Sequence, residues 1–278
     1  GQGAVSGSGS AAKRQSRLEV LGCSTAEGSD TDGLRWLLCT SLRMDAVIPA
    51  AGRGNGLGEL TDDRPRGLVD VAVRPLLAYT FKTEVEAGAD ELVVIGGTGG
   101  VDRQPVRRPF EGTSITYVHQ RERLGLGHAV LQAEPHVGGT FLLMNGDNVF
   151  AGSVESAIEA VEEADTALAV KEVSPEVATT TGVIETDEAG RVTGIVENRP
   201  IRRRRSSRPG AMCSRGFFHT CGLLRPSPEG EYQLSEAVGL LVRAGYEIVT
   251  VRFDGRVNVK AGRHGAGGRV GLIVVKPT

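Results

Sequence analysis

The chain of 278 residues is long enough to bury a substantial core, as one large α/β domain or two small ones. Its net charge of −2 gives no general attraction to nucleic acid or anionic membranes, and no apolar run approaches the ~20 residues that span a bilayer. The four cysteines form no CxxC pair and follow no signal peptide, which argues against structural zinc and a disulfide framework and makes a reducing cytoplasm the expected location.

The first 43 residues are rich in Gly, Ser, Ala and charge and have no sustained periodicity. We interpret residues 1–43 as a disordered or non-native extension, because Met44 stands directly before the first strong strand pattern. The predicted domain covers residues 44–259, with an irregular insert at about 198–216. Residues 260–278 form an atypical tail in this interpretation.

From residue 45 onward, short apolar runs alternate with helix-like segments. The apolar runs predict buried strands at residues 45–49, 91–96, 116–119 and 141–145. Helices are predicted over residues 76–87, 127–133 and 153–164, the first between Pro75 and the C-cap candidate Gly88. Strands separated by such helices pair in parallel. The predicted fold is therefore α/β, a single Rossmann-like domain with a mixed, mostly parallel sheet flanked by helices.

The second half of the chain changes character. Residues 166–173 and 181–186 have a strand-like pattern, and a DEAG turn at 187–190 leads into residues 191–197. We predict a β-hairpin there, which should add antiparallel strands to the sheet. Residues 201–216 break all periodicity, and their basic run is interpreted as solvated or disordered. A capped amphipathic helix at 232–244 and a strand at 247–253 follow.

A glycine-rich stretch, AAGRGNGLGELT at residues 50–61, directly follows the first predicted strand. Gly52 and Gly54 can expose backbone N–H groups to phosphate oxygens, which would form an anion-binding concavity. The motifs GxGxxG and GxxxxGK[ST] both fail, because Leu57 and Glu59 stand where they require glycine. A merely flexible loop is the alternative interpretation.

Asp147 follows the strand predicted at 141–145. A carboxylate at the C-terminal end of a buried parallel strand lies in the crevice where open α/β sheets bind ligands, and its oxygens suit Mg²⁺. The alternative is that Asp147 caps the next helix. Gln120 and Glu197 are two further candidate site residues. Their alternative interpretations are an exposed polar residue after a strand for Gln120 and a charge at a strand end for Glu197. Three histidines without metal-binding spacing are interpreted as surface or structural residues: His119, His128 and His136.

The order of these segments resembles the signature of sugar-1-phosphate nucleotidyltransferases, with glucose-1-phosphate thymidylyltransferase and uridylyltransferase as the most similar types. It consists of a strand, AAGxGxxLxxLT, an acidic spacer, Pro65 with Arg66, and a PLL helix start. Further matches are Gln120 with Gly125, Gly146-Asp147 after a strand, the hairpin at 182–197 and EYQLSEA at 231–237. The resemblance covers about residues 45–259.

The resemblance implies an enzyme that transfers a nucleoside monophosphate from a triphosphate, dTTP or UTP, to a hexose 1-phosphate such as glucose 1-phosphate. Mg²⁺ is the implied cofactor, no nucleic acid or membrane partner is expected, and a homo-oligomer is left open. Gln120 and Gly125 favour a pyrimidine, since a Gln amide can pair with an imide edge. The implied residues are Ala50, Ala51, Gly52, Gly54, Asn55, Gln120 and Gly125 for the nucleotide, Arg66 and Asp147 for catalysis, Asn148, Gly182 and Glu197 for the sugar, and Asp147 and Asn258 for the metal.

Several residues depart from the pattern of this family. Gly56 stands where the family carries an Arg that grips the triphosphate, and Asn258 stands where a second metal-binding Asp is expected. The stretch at 198–216 replaces a sugar-side strand. These departures favour an alternative, a catalytically impaired homologue that binds nucleotide or NDP-sugar as a regulatory or partner subunit. A transferase for another phosphorylated acceptor, such as an alcohol phosphate, is a third hypothesis.

Overall fold

The computed structural model describes residues 43–51, 70–71, 74–97, 109–150, 154–161, 164–170, 182–197, 211–213, 215–252, 256–258 and 272–275. The strands in these ranges are β1 (Met44–Pro49), β2 (Asp70–Val71), β3 (Arg74–Pro75), β4 (Glu91–Gly97), β5 (Ser114–Gln120), β6 (Thr140–Met144), β7 (Asn148–Phe150), β8 (Thr166–Val170), β9 (Gly182–Thr186), β10 (Val192–Glu197), β11 (Ala211–Cys213), β12 (Ile248–Arg252), β13 (Arg256–Asn258) and β14 (Leu272–Val275). The α-helices are α1 (Leu76–Glu86), α2 (Leu126–Leu131), α3 (Glu155–Ala160), α4 (Arg215–Gly222) and α5 (Leu234–Arg243).

An eight-stranded sheet forms the centre of the fold, in the order β12-β8-β14-β11-β6-β1-β4-β5. The strands β6, β1, β4 and β5 are mutually parallel, and β12 is parallel to β8. Antiparallel pairing occurs where β11 and β14 meet β6 and where β14 meets β8. The predicted α/β fold with a mixed, mostly parallel sheet is confirmed.

Helices cover both faces of this sheet, which explains why its inner strands are apolar on both sides. Ala46 and Ile48 of β1 pack with Leu77, Phe81 and Val85 of α1 in one core cluster. Met44 and Val47 of the same strand belong to a larger cluster. The helices α2, α3, α4 and α5 contribute to that larger cluster. The strand pattern seen in the sequence therefore reflects a three-layer arrangement.

The hairpin predicted at residues 181–197 is present, but its expected place in the sheet is wrong. The strands β9 and β10 pair antiparallel in a sheet of their own, and a bridge between Arg191 and Val249 joins the hairpin to β12. The antiparallel strands of the main sheet are instead β11 and β14. Strands of only three or four residues, such as β11 and β14, take their conformation mainly from the strands that hydrogen-bond to them. Their own sequence pattern is therefore weak evidence for a strand.

Other predicted boundaries also change. The helix expected at 153–164 is the shorter α3, and Ser153 lies outside the described residues. The helix expected at 232–244 begins at Leu234, and its N-cap residue Gln233 makes no capping side-chain hydrogen bond. Part of the stretch read as irregular, up to residue 216, contains β11 and the beginning of α4. The nature of residues 1–43 and 260–278 stays a prediction, and in the described part no helix is long and apolar enough to cross a membrane.

Ion pairs hold the edge of the sheet where β1 and β4 begin. The Arg43 Nε donates to the Asp45 carboxylate at 2.8 Å, and the same guanidinium contacts Glu91. The backbone N–H of Gly138 donates to the other Asp45 oxygen at 2.8 Å. Burial raises the pKa of Asp45, and these hydrogen bonds offset part of that shift. The buried charge at this edge is thus satisfied and structural.

Glu84 of α1 is a buried carboxyl group without compensation. Its side chain is 0% exposed, and neither carboxyl oxygen has a hydrogen-bond partner. Burial raises the pKa of Glu84 well above its ordinary value of 4.5. The folded state therefore holds the proton more tightly than the unfolded chain, and the free energy of unfolding falls as the pH rises above 4.5.

Replacing Glu84 with Leu is expected to stabilise the fold. The change removes an unpaired buried carboxyl group, whose cost is about 1–3 kcal/mol, and the gain should be larger at pH 8 than at pH 4.5. Thermal unfolding at both pH values measures it. Glu86→Leu on the same helix, where the side chain is 62% exposed, is the matched control and should change little. A lower melting temperature for Glu84→Leu at pH 8 would contradict this explanation.

Candidate active site

The C-terminal ends of the four parallel strands β1, β4, β5 and β6 lie at the same edge of the sheet, because parallel strands end on the same side. The N–H of Ala50 donates to the carbonyl of Ile95 at 2.8 Å, which fixes the end of β1 against β4. The N–H of Gly146 donates to the carbonyl of Pro49 at 3.1 Å. The beginning of the glycine-rich stretch and the turn that carries Asp147 are therefore in direct contact.

Gly146 allows this contact because the space for a side chain is already filled. A Cβ at this position would lie 2.9 Å from Leu77 Cδ1 and 3.2 Å from Ala50 Cβ. Gly146 therefore lies close to α1 and to Ala50, and Asp147, which follows it, is partly exposed. Asp147 does not cap the next helix, since Val154 is the N-cap residue of α3 and no side chain caps it. The capping alternative is wrong.

The strand pair β7–β13 brings the two predicted metal-binding positions close together. Asn258 is the direct partner of Asn148 in this antiparallel pair, and Asn148 follows Asp147 in the chain. Asp147 and Asn258 are far apart in sequence, so only the register of this pair makes them neighbours. Among the described residues no three His, Cys, Asp or Glu side chains form a ready-made metal cage.

Gln120 ends β5 and is a core residue, not an exposed one. Its side chain is only 2% exposed, so the alternative of a solvent-exposed polar residue is wrong. The amide nitrogen Nε2 lies 3.3 Å from the carbonyl oxygen of Gly125 and 3.0 Å from Nδ1 of His128. The loop from Gln120 to Gly125 is thus closed by its own end residues, at the same edge of the sheet as Ala50.

A distant segment fixes the backbone of this loop. The N–H of Tyr232 donates to the carbonyl of Leu124 at 2.7 Å, and the N–H of Gly127 donates to the carbonyl of Tyr232 at 2.9 Å. Gly125 has φ 97 and ψ 179, a conformation essentially restricted to glycine. A Cβ on Gly125 would lie 2.8 Å from the backbone nitrogen of Tyr232. The EYQLSEA segment therefore shapes the loop that precedes α2.

The predicted sugar-binding residues fall on the β9–β10 hairpin and on β7. Gly182 is the direct partner of Glu197 across the hairpin, so the sequence pair forms one structural unit. The placement of the glycine loop and the basic residue cannot be compared, since these predictions lie outside the described residues: Gly52, Gly54, Asn55 and Arg66. Their roles stay predictions.

One functional candidate, His128, was not predicted from the sequence. It was interpreted as a surface or structural residue, yet its Nδ1 contacts the amide of Gln120. Its ring also lies tilted against that of Tyr232, with 6.2 Å between the ring centroids. The separation of eight residues between Gln120 and His128 gives no periodic signal, because a strand end, a loop and a helix start lie between them.

Comparison with known proteins agrees with this arrangement. The family model described as Nucleotidyl transferase matches residues 45–256. The chain belongs to this family. The resemblance read from the sequence is confirmed, and with it the nucleotidyltransferase class of enzyme.

The individual relatives have names that are more specific than the description of the family. The chain is 38% identical over 222 residues to UTP–glucose-1-phosphate uridylyltransferase AglF of Haloferax volcanii, covering 76% of this chain and 89% of AglF. It is 32% identical over 220 residues to the bifunctional protein GlmU of an Azoarcus species, covering 76% of this chain and 47% of GlmU. The chain thus spans about half the length of that bifunctional relative.

Solved structures support the fold. A UDP-glucose pyrophosphorylase complexed with UDP-glucose superimposes with a TM-score of 0.67 at 21% identity, covering 78% of this chain and 93% of that one. A putative glucose-1-phosphate thymidylyltransferase from Bacillus anthracis has a TM-score of 0.65 at 19% identity, covering 76% and 87%. At these identities the likeness establishes the architecture alone.

Proposed function

We propose that this member of the family transfers a uridylyl or thymidylyl group to a hexose 1-phosphate such as glucose 1-phosphate, releasing pyrophosphate. The observation that carries the proposal is the common location of three elements. Ala50 at the start of the glycine-rich stretch contacts the Asp147 turn, and the Gln120–Gly125 loop lies at the same edge of the sheet. The name of AglF supports UTP as the donor and glucose 1-phosphate as the acceptor.

In this proposal the protein contributes position and charge. The sugar phosphate oxygen is already anionic and attacks the α-phosphorus in line, so no covalent intermediate is needed. Backbone N–H groups of the glycine loop and the guanidinium of Arg66 would stabilise the negative charge that spreads over the phosphates. The β9–β10 hairpin would hold the sugar through the backbone at Gly182 and the carboxylate of Glu197. Holding both reactants in line removes much of the entropic barrier.

A divalent cation fits the donor set at the Asp147 turn. Mg²⁺ takes one or two carboxylates and completes its shell with water and substrate phosphates, so it needs no all-protein cage. Asp147 would supply a carboxylate, and the register of β7 with β13, which brings the backbone of Asn258 beside that of Asn148, supports Asn258 as the second ligand. Asp147 and Asn258 would hold the ion, which would supply charge neutralisation at the phosphates when bound.

Asn258 tests this assignment, because an amide oxygen is a weaker Mg²⁺ ligand than a carboxylate. We expect Asn258→Asp to lower the Mg²⁺ concentration needed for half-maximal activity by about tenfold, the effect of ~1.4 kcal/mol. Initial rates over a Mg²⁺ titration measure the change. Glu188→Gln, at an exposed position of the β9–β10 turn, is the control and should leave the titration unaltered. An unchanged Mg²⁺ requirement in Asn258→Asp would remove Asn258 from the metal site.

The activity itself is tested by pyrophosphate release from each pair of nucleoside triphosphate and sugar 1-phosphate, with Mg²⁺ present. Turnover with UTP or dTTP and glucose 1-phosphate is the expected result. Thermal stabilisation by these nucleotides without any turnover would instead support the impaired homologue, which the catalytic names of the relatives do not favour. The proposed function would be refuted if neither turnover nor thermal stabilisation were observed.

A further inference from the structure

The end of β4 has a glycine whose side-chain position is taken by an arginine from the loop after β5. Gly97 is the last residue of β4 and the direct partner of Gln120, which ends β5. A Cβ on Gly97 would lie 2.8 Å from Nε, 2.9 Å from Nη2 and 3.2 Å from Cζ of Arg123. The guanidinium of Arg123 therefore lies against the backbone of Gly97, which is buried.

The space taken by Arg123, rather than the backbone conformation, accounts for a glycine at position 97. The φ of Gly97 lies outside the left-handed region, so another residue could adopt the same conformation. By the alternation of a strand, position 97 shares a face of the sheet with Ile95, and Gln120 shares one with Val118. Ile95 and Val118 both belong to the larger core cluster or pack against it. The guanidinium thus fills the side-chain position next to Gln120.

Two attachments hold the Gln120–Gly125 loop to different parts of the fold. The N–H of Tyr232 donates to the carbonyl of Leu124 at 2.7 Å, which ties the end of the loop to the segment before α5. Arg123, the preceding residue, ties the loop to the end of β4 through Gly97. A planar guanidinium can lie flat on a peptide backbone where no side chain stands in the way, so this second attachment depends on both residues.

We propose that the contact of Arg123 with Gly97 fixes the position of the Gln120–Gly125 loop for nucleotide binding, which makes Arg123 a positioning residue of the nucleotide site. The inference rests on the proposed function, which places the nucleotide at this loop. A loop held by Tyr232 alone would sample more conformations, and the nucleotide would have to order it on binding. Affinity for the nucleotide then falls, whereas the chemical step at the Asp147 turn is unaffected.

The test uses Arg123→Ala, Gly97→Ala and the double variant in the full chain, with UTP as the nucleotide. In Gly97→Ala the new methyl group meets the far end of a flexible side chain, so the fold is kept and the guanidinium is displaced. We expect each single variant to raise Kd and KM for UTP by about fivefold to tenfold, with kcat within about twofold of the wild type. The double variant should be no worse than Arg123→Ala, because the methyl group then enters vacated space.

Hydrogen exchange of the amides at 121–125 without nucleotide reports on the loop directly. It should become about tenfold faster in both single variants, while exchange in β1 and β4 and the melting temperature stay unchanged. Arg243→Ala is the matched control, because Arg243 is an exposed arginine whose Nη1 lies 3.4 Å from the Cβ position of another glycine, Gly239 of α5. The control should retain the wild-type exchange and affinity. Arg123→Lys keeps the charge but not the planar group, and it should behave like Arg123→Ala.

Four results would overturn the inference. Unchanged exchange in Arg123→Ala would mean that Arg123 does not hold the loop. Faster exchange with an unchanged Kd for UTP would mean that nucleotide binding does not depend on the position of the loop. Wild-type affinity in Arg123→Lys would mean that charge and not the planar contact matters. Additive losses in the double variant would mean that Arg123 and Gly97 act separately.

The proposed function and this inference fail in different ways. A wild-type protein that binds neither UTP nor dTTP would refute both. Binding without turnover would refute only the activity, because Kd and hydrogen exchange still measure the contact of Arg123 with Gly97. Turnover with wild-type KM in Arg123→Ala and Gly97→Ala would refute only the inference.

Discussion

Asp147→Asn is expected to lower kcat for pyrophosphate release by about 10²–10³-fold, the usual loss when a charge that stabilises the transition state is removed. Asp147 stands at the contact between the first loop and the turn after β6, held there by the hydrogen bond from Gly146 to Pro49. Asparagine keeps the size of the side chain but removes the charge that would hold a divalent cation. Because Asp147 is partly exposed, the melting temperature should change little.

The measurement for Asp147 is a steady-state rate at saturating substrates, together with a Mg²⁺ titration and a thermal scan of the same preparation. Glu188→Gln makes the same chemical change at an exposed turn and should keep the wild-type rate. If Asp147→Asn retains about half of the wild-type activity or more, Asp147 is not a metal ligand and the crevice assignment fails.

Gly125→Ala should be the most damaging addition of a single methyl group in the Gln120–Gly125 loop. Alanine would have to adopt φ 97 with ψ 179, and its Cβ would lie 2.8 Å from the nitrogen and 2.9 Å from the oxygen of Tyr232. Both atoms belong to backbone that cannot rotate away. The strained dihedral alone costs about 1–3 kcal/mol, so we expect a stability loss above that range and a large rise in KM for the nucleotide.

Gly112→Ala separates strain from steric overlap. Gly112 has φ +90, yet a Cβ there would meet nothing within 4 Å. Denaturant unfolding of both variants should show a small loss for Gly112→Ala and a clearly larger loss for Gly125→Ala. Equal losses would mean that the backbone dihedral alone is responsible and that the contact with Tyr232 is not tight.

The sequence predicted the parallel part of the sheet well because those strands carry their own signal. β1 and β4 are buried on both faces, so their positions after Asp45 and Glu91 are apolar and each run ends at glycine or proline. β11 and β14 lack such a signal, since they are three and four residues long and take their conformation from β6. Length, rather than composition, separates the strands that were predicted from those that were not.

The candidate site also contains residues that the sequence could predict and contacts that it could not. Asp147 and the Gln120–Gly125 pair could be predicted, because each follows a recognisable strand in the order typical of the family. The approach of Asn258 to Asn148 depends on a register between two short strands, which no local pattern specifies. The contact between His128 and Gln120 is a matter of tertiary distance and hydrogen-bond direction. Sequence could place these residue types near the site but could not assign their partners.

The two backbone hydrogen bonds that join Tyr232 to Leu124 and Gly127 also have a consequence for the order of folding. The residues that they join are distant along the chain, so their meeting closes a long loop and must wait until α4 and α5 have docked on the sheet. A helix as short as α2 gains little stability by itself. The Gln120–Gly125 loop should therefore become native late, and any ligand that binds only the folded loop would shift the folding equilibrium of the whole chain toward the native state by mass action.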